Sequence, residues 1–91
     1  MGARFTVTRG AELLKGMTSG RVQLPKGEAA IDSVVRRIQR ETGLRFVTLR
    51  QDSCERDDGG EVVAWHYEIL LGRGRAKAIA GAVHVTITSS P

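Results

Sequence analysis

Apolar residues recur at Ile31, Val34, Val35 and Ile38, the i, i+3, i+4, i+7 spacing that lines one side of an α-helix. The spacing predicts a helix over about 28–42. Pro25 and Gly27 mark its beginning, and Glu28 suits the partial positive charge of a helix N-terminus. Gly43 can take the left-handed conformation that ends it. Directly afterwards the pattern becomes that of a strand, Leu44–Arg50. The residues that follow, closing on Asp57-Asp58-Gly59-Gly60, predict a turn-rich loop. From Val62 to Leu71 the alternation is strong. Val63, Trp65, Tyr67, Ile69 and Leu71 fall on one face, with Ala64, His66 and Glu68 on the other.

Residues 82–88, Ala-Val-His-Val-Thr-Ile-Thr, alternate in the same way and predict a further strand. Between the two, Arg75 to Ala80 fits either a short helix or the start of a hairpin arm. A fold-back around Arg73-Gly74-Arg75 would set Trp65 opposite Val85 and His66 opposite His84. Nearer the N-terminus, Phe5 and Val7 alternate with Thr6 and Thr8 as a strand does. Ala11–Gly16 suggests a helical turn, Thr18-Ser19-Gly20 a chain turn, and Arg21–Leu24 a short strand. The expected fold class is α+β: one domain over residues 1–91, a mostly antiparallel sheet of four to five strands, and one long helix packed on one face.

Composition narrows this picture. The chain has 91 residues, of which 41% are hydrophobic but only 4% aromatic, so its core must be built from Val, Ile, Leu and Ala. Self-association would be an economical way to add stability to so small a core. Cys54, the single cysteine, cannot form an internal disulfide and is expected as an exposed loop residue. No apolar run approaches the roughly 20 residues of a membrane span, and no apolar segment follows Arg4 and Arg9 as in a signal peptide. A cytoplasmic location and no membrane partner are the expectations.

Charge is informative through its distribution. The net charge is +4, but residues 51–61 set Asp52, Glu55, Asp57, Asp58 and Glu61 against Arg56 alone, a local net of −4. The remainder holds 13 basic and 5 acidic residues, a net of +8. Such a body attracts nucleic acid or an acidic protein surface.

The stretch Gly72-Arg73-Gly74-Arg75-Ala76-Lys77 combines glycines, which let a backbone approach a phosphate, with three cationic side chains that can bind one. It lacks the GxxxxGK[ST] spacing of a P-loop. The predicted helix carries Arg36, Arg37 and Arg40 on its polar side. Asp32–Arg36 and Arg37–Glu41 have the i,i+4 spacing of helix salt bridges, while Arg40 has no such neighbour. Arg45 and Arg50 on the next strand would extend a basic surface. Trp65 and Tyr67 would stack bases if their sheet face were open and form core if the helix covers it. His66, His84 and Glu68 would make an incomplete metal set, and the carboxylates of 51–61 do not follow the EF-hand spacing. No nucleophile–base–acid set can be picked out, and no motif implies a cofactor.

Residues 35–46, Val-Arg-Arg-Ile-Gln-Arg-Glu-Thr-Gly-Leu-Arg-Phe, resemble the helix–Thr-Gly–strand passage of KH domains. That resemblance implies RNA or single-stranded DNA gripped by a GxxG loop just before the helix. The matching positions here are Ala29-Ala30-Ile31-Asp32, so the gripping loop is missing. Similar helix–TGLRF–strand passages occur in zinc proteases whose HExxH motif this chain lacks. The likeness is read as convergence on an amphipathic helix, a glycine cap and a strand.

The reading the residues support is a small non-catalytic binding module whose ligand is nucleic acid. Arg73, Arg75 and Lys77 would contact phosphates, with Arg36, Arg40 and Arg45 extending the track. The alternative is a protein-interaction or assembly module, such as a homo-oligomer or a phage or mobile-element accessory protein. It would use a sheet edge or the apolar run Ile69-Leu70-Leu71.

Overall fold

The helix forms where its periodicity places it. In the computed structural model, which describes residues 2–23 and 29–89, α1 spans Ala30–Thr42. Ile31, Val34 and Ile38 are buried along one side of it. Gly43 ends it at φ 74°, with its N–H donating to the Gln39 carbonyl at 2.9 Å. Every residue but glycine is strained in that left-handed conformation. The expected start signals Pro25, Gly27 and Glu28 lie outside the described residues.

Five strands accompany the helix: β1 (Gly2–Arg9), β2 (Ser19–Gln23), β3 (Arg45–Arg56), β4 (Val62–Arg73) and β5 (Ala78–Ser89), with a 3₁₀ turn at Ala11–Leu14. They form one antiparallel sheet in the order β2-β1-β5-β4-β3. The β1–β2 hairpin forms one edge, α1 carries the chain across to the other, and the β3–β4–β5 meander returns it to β1. This is the α+β fold expected, with five strands.

Strand alternation gives the sheet one apolar face. Ala3, Phe5 and Val7 from β1, Val83, Val85 and Ile87 from β5, and Ile69 and Leu71 from β4 are all buried. With the inward stripe of α1, Leu14 and Leu44 they form the core. Trp65 and Tyr67 lie on this same face, partly buried against the core. Ile69 and Leu71 are fully buried in a strand paired on both sides, so the run around Leu70 is interior sheet. It presents no apolar strand to a partner.

The structure departs from the sequence reading in four places. Residues 51–56 are strand: β3 pairs with β4 as far as Arg56, and only 57–60 turn. Asp57 closes that turn, accepting the N–H groups of Gly59 at 2.9 Å and Glu61 at 3.0 Å. Backbone pairing is indifferent to side-chain polarity, and on an edge strand polar residues remain hydrated. Cys54 is therefore a half-buried strand residue opposite Trp65, not part of a loop.

The β4–β5 register also differs. Trp65 faces Ile87, His66 faces Thr86, and His84 faces Glu68. The turn occupies Gly74–Lys77 and a bulge follows Leu71, so the pairing moves by two residues from the expected one. An even shift keeps every side chain on its predicted face. Arg75–Lys77 are turn and Ala78–Ala80 strand, with no helix there. Finally, Ser19 and Gly20 belong to β2 instead of a turn.

Truncating the central contact, Ile38→Ala, should cost about 2–5 kcal/mol, whereas Gly43→Ala at the cap should cost about 1 kcal/mol. Chemical denaturation followed by circular dichroism would measure both, and the core variant should show the larger loss.

Candidate functional site

Between α1 and the edge strand β2 runs a groove of about 430 Å³, lined by Arg21, Val22, Gln23, Ser33, Arg36, Arg37, Arg40 and Glu41. Four guanidiniums and one carboxylate converge there. The arginines come from two elements far apart in sequence. Ser33, Arg36, Arg37 and Arg40 share the helix side turned toward β2, and Arg21 stands on the strand beside buried Val22.

Arg37 holds this groove together. Its Nη1 donates to the Arg21 carbonyl at 2.7 Å, and its Nε donates to Glu41 Oε1 at 3.2 Å. The guanidinium lies over the Phe5 ring, 5.5 Å from the centroid, and packs where a Cβ on residue 20 would stand, so Gly20 is required. Arg37 is thus a structural tie between α1, β1 and β2. Arg36 reaches the Ser33 hydroxyl at 3.4 Å. Arg40 occupies the last helical turn, where a cation complements the helix dipole.

The other predicted residues gather at one end of the sheet. Arg45 opens β3 opposite Gly72, Arg73 ends β4 opposite Ala78, and Arg75 and Lys77 sit in the turn between β4 and β5. All four are exposed. The turn closes through the Lys77 N–H donating to the Gly74 carbonyl at 3.1 Å, with Lys77 itself at φ 52°. Helix α1 finishes at this same end, because only Gly43 and Leu44 separate it from Arg45. The six residues therefore form two groups, Arg36 and Arg40 in the groove and Arg45, Arg73, Arg75 and Lys77 at the sheet end.

Sequence reasoning missed Arg21. Nothing local marks it, since only the β2–β1 pairing and the helix crossing bring it beside Arg36 and Arg40. Arg37 was recognisable through its spacing to Glu41, but its bond to β2 was not.

The face of the sheet away from α1 is polar, and both histidines are on it. His66 Nδ1 lies 2.8 Å from the Thr86 hydroxyl, and its Nε2 is 3.6 Å from Glu55. His84 sits between Glu68 at 3.3 Å and Asp52 at 3.8 Å, and Arg50 pairs with both of those carboxylates. These contacts tie β3, β4 and β5 together. No three or more His, Cys, Asp or Glu side chains among the described residues are arranged to hold a metal ion. Nor is any helix among them long and apolar enough to cross a membrane.

Comparison with protein families, curated proteins and solved structures finds no significant match. The KH-like passage corresponds here to α1, its Gly43 cap and the start of β3, and Ala30–Asp32, the positions of the missing GxxG loop, are the first turn of the helix.

Tyr67, the single tyrosine, has its pKa raised above 10.0 by burial, then by the Asp32 carboxylate and Cys54. The protonated phenol is therefore favoured in the folded state. Its contribution to stability is fully present below pH 10, the ordinary tyrosine value, and is lost as pH rises through the higher folded value. Absorbance titration of the phenolate should show a midpoint above that of unfolded protein, and Asp32→Asn should move it part of the way back.

Arg37→Ala should destabilise the fold by about 1.5–3 kcal/mol, as expected for lost charge-assisted hydrogen bonds. Thermal denaturation should show this loss for Arg37→Ala and little change for Arg40→Ala.

Proposed function

We propose that this protein is a non-catalytic module that binds nucleic acid through its phosphate backbone. The observation that carries the reading is the convergence of Arg21, Arg36, Arg37 and Arg40 in one groove between α1 and β2. Guanidiniums donate in pairs to phosphate oxygens, and a row of them follows a backbone without reading its bases. The exposed group Arg45, Arg73, Arg75 and Lys77 supplies a second set of phosphate contacts at the end of the molecule where α1 finishes. A body of net +8 adds long-range attraction that speeds encounter with a polyanion. Trp65 and Tyr67 have no part in this reading, because they pack under the helix side of the sheet. A lone, half-buried thiol fits a reducing, cytoplasmic setting.

The test is fluorescence anisotropy with labelled random single- and double-stranded DNA and RNA, across a series of salt concentrations. Affinity should fall linearly on logarithmic axes, with a slope near −0.9 per phosphate neutralised on duplex DNA. An Arg73→Ala, Arg75→Ala, Lys77→Ala variant and an Arg21→Ala, Arg36→Ala, Arg40→Ala variant should each flatten that slope, by roughly one unit per contact removed. Arg37 stays unchanged in both so that the groove remains assembled. Absence of binding at low salt in the unaltered protein would dismiss the reading.

A further inference from the structure

The longest exposed edge of the sheet is β3, and charge is ordered along it. Arg45 stands at its beginning, beside the Arg73–Lys77 turn, while Asp52 and Glu55 lie toward its end and lead to Asp57, Asp58 and Glu61. β4 joins these ends over 12 residues, about 40 Å of extended chain, in a molecule 44 Å long. The helix layer repeats the order. α1 runs antiparallel to β3, so Asp32 lies toward the acidic end and Arg36 and Arg40 toward the basic one. The Gln39 side chain accepting the Phe46 N–H at 2.8 Å fixes this alignment.

Between the charged ends the surface is apolar. A groove of about 310 Å³ separates α1 from β3, lined by Val35, Phe46 and Leu49 with Asp32 and Arg36 at its margins. All three apolar side chains are only partly buried against the core. An apolar centre flanked by opposite charges is self-complementary under a two-fold axis. Turning a second copy end for end sets each basic end against an acidic one and each apolar groove against its equivalent.

We infer that this face pairs with a second copy of the chain in an antiparallel two-fold dimer centred on Val35, Phe46 and Leu49. The contact is made by side chains and not by a ladder continuing the sheet. Register shifts between Phe46 and Thr48 and between Gln51 and Ser53 insert an extra residue into β3 at each place, which twists the edge away from regular pairing. The Phe46 N–H is already engaged by Gln39. The α1–β2 groove lies on the opposite side of the helix and stays open in this arrangement.

Sedimentation equilibrium without nucleic acid, over a wide protein concentration range, tests the dimer independently of the nucleic-acid reading. The mass should rise from 9.9 kDa toward twice that value. Arg45→Glu and Glu55→Arg, each alone, place like charges together across the axis and should weaken the dimer roughly tenfold or more. The two combined should restore it, with circular dichroism confirming that every variant is folded. A constant 9.9 kDa mass at all concentrations would overturn the inference. So would a dimer indifferent to both single reversals, or one that the double reversal fails to restore. A failed nucleic-acid titration beside an intact dimer would remove only the first proposal.

Discussion

An antiparallel sheet of alternating residues buries nothing until its apolar face is covered, and in this protein one helix provides the cover. The stripe Ile31–Val34–Ile38 seats on Phe5, Ile69, Leu71, Val83, Val85 and Ile87, and these residues, with few neighbours, make the entire core. With so few aromatics, the aliphatic contact has to be close. It is therefore fixed at both ends of the helix's reach. Arg37 bonds it to β2, and Gln39 bonds it to the start of β3. Loosening α1 would expose the sheet and dissolve both grooves that flank the helix, because each groove has α1 as one wall.

Its position across the sheet separates two kinds of surface. Toward β2 the helix turns arginines, and toward β3 it turns Val35 between Asp32 and Arg36. One thirteen-residue element therefore presents a cationic groove on one flank and an apolar groove on the other. The connectivity accounts for this. Because α1 crosses from the β1–β2 hairpin to the far edge, it must lie over the middle of the sheet, with an edge strand on each side.

The face opposite the helix follows different physics. It has no second layer, so threonines, histidines and charged residues occupy it and remain in contact with water. His66, His84, Glu68, Asp52 and Arg50 link three strands there through contacts of 2.8–3.8 Å. Partly exposed contacts of this kind contribute little individually. They add preference for the observed register of β3, β4 and β5, where the apolar face alone would tolerate a slip of two residues.

Periodicity by itself determined the helix, its glycine stop and the core-facing set of every major strand, because side-chain direction follows local geometry. It determined equally that cationic side chains would cluster at Arg73, Arg75 and Lys77, since these are neighbours in one turn. What periodicity cannot carry is register, which here depended on the length of one turn and one bulge and displaced the expected His66–His84 pairing. Nor can it mark the end of an edge strand, because 51–56 look like loop by polarity yet pair through their backbone. Only the tertiary structure brought Arg21 to Arg36 and Arg40, and Val35 to Phe46 and Leu49. Those encounters depend on which strands become neighbours and where the helix crosses them, and both are properties of the whole chain.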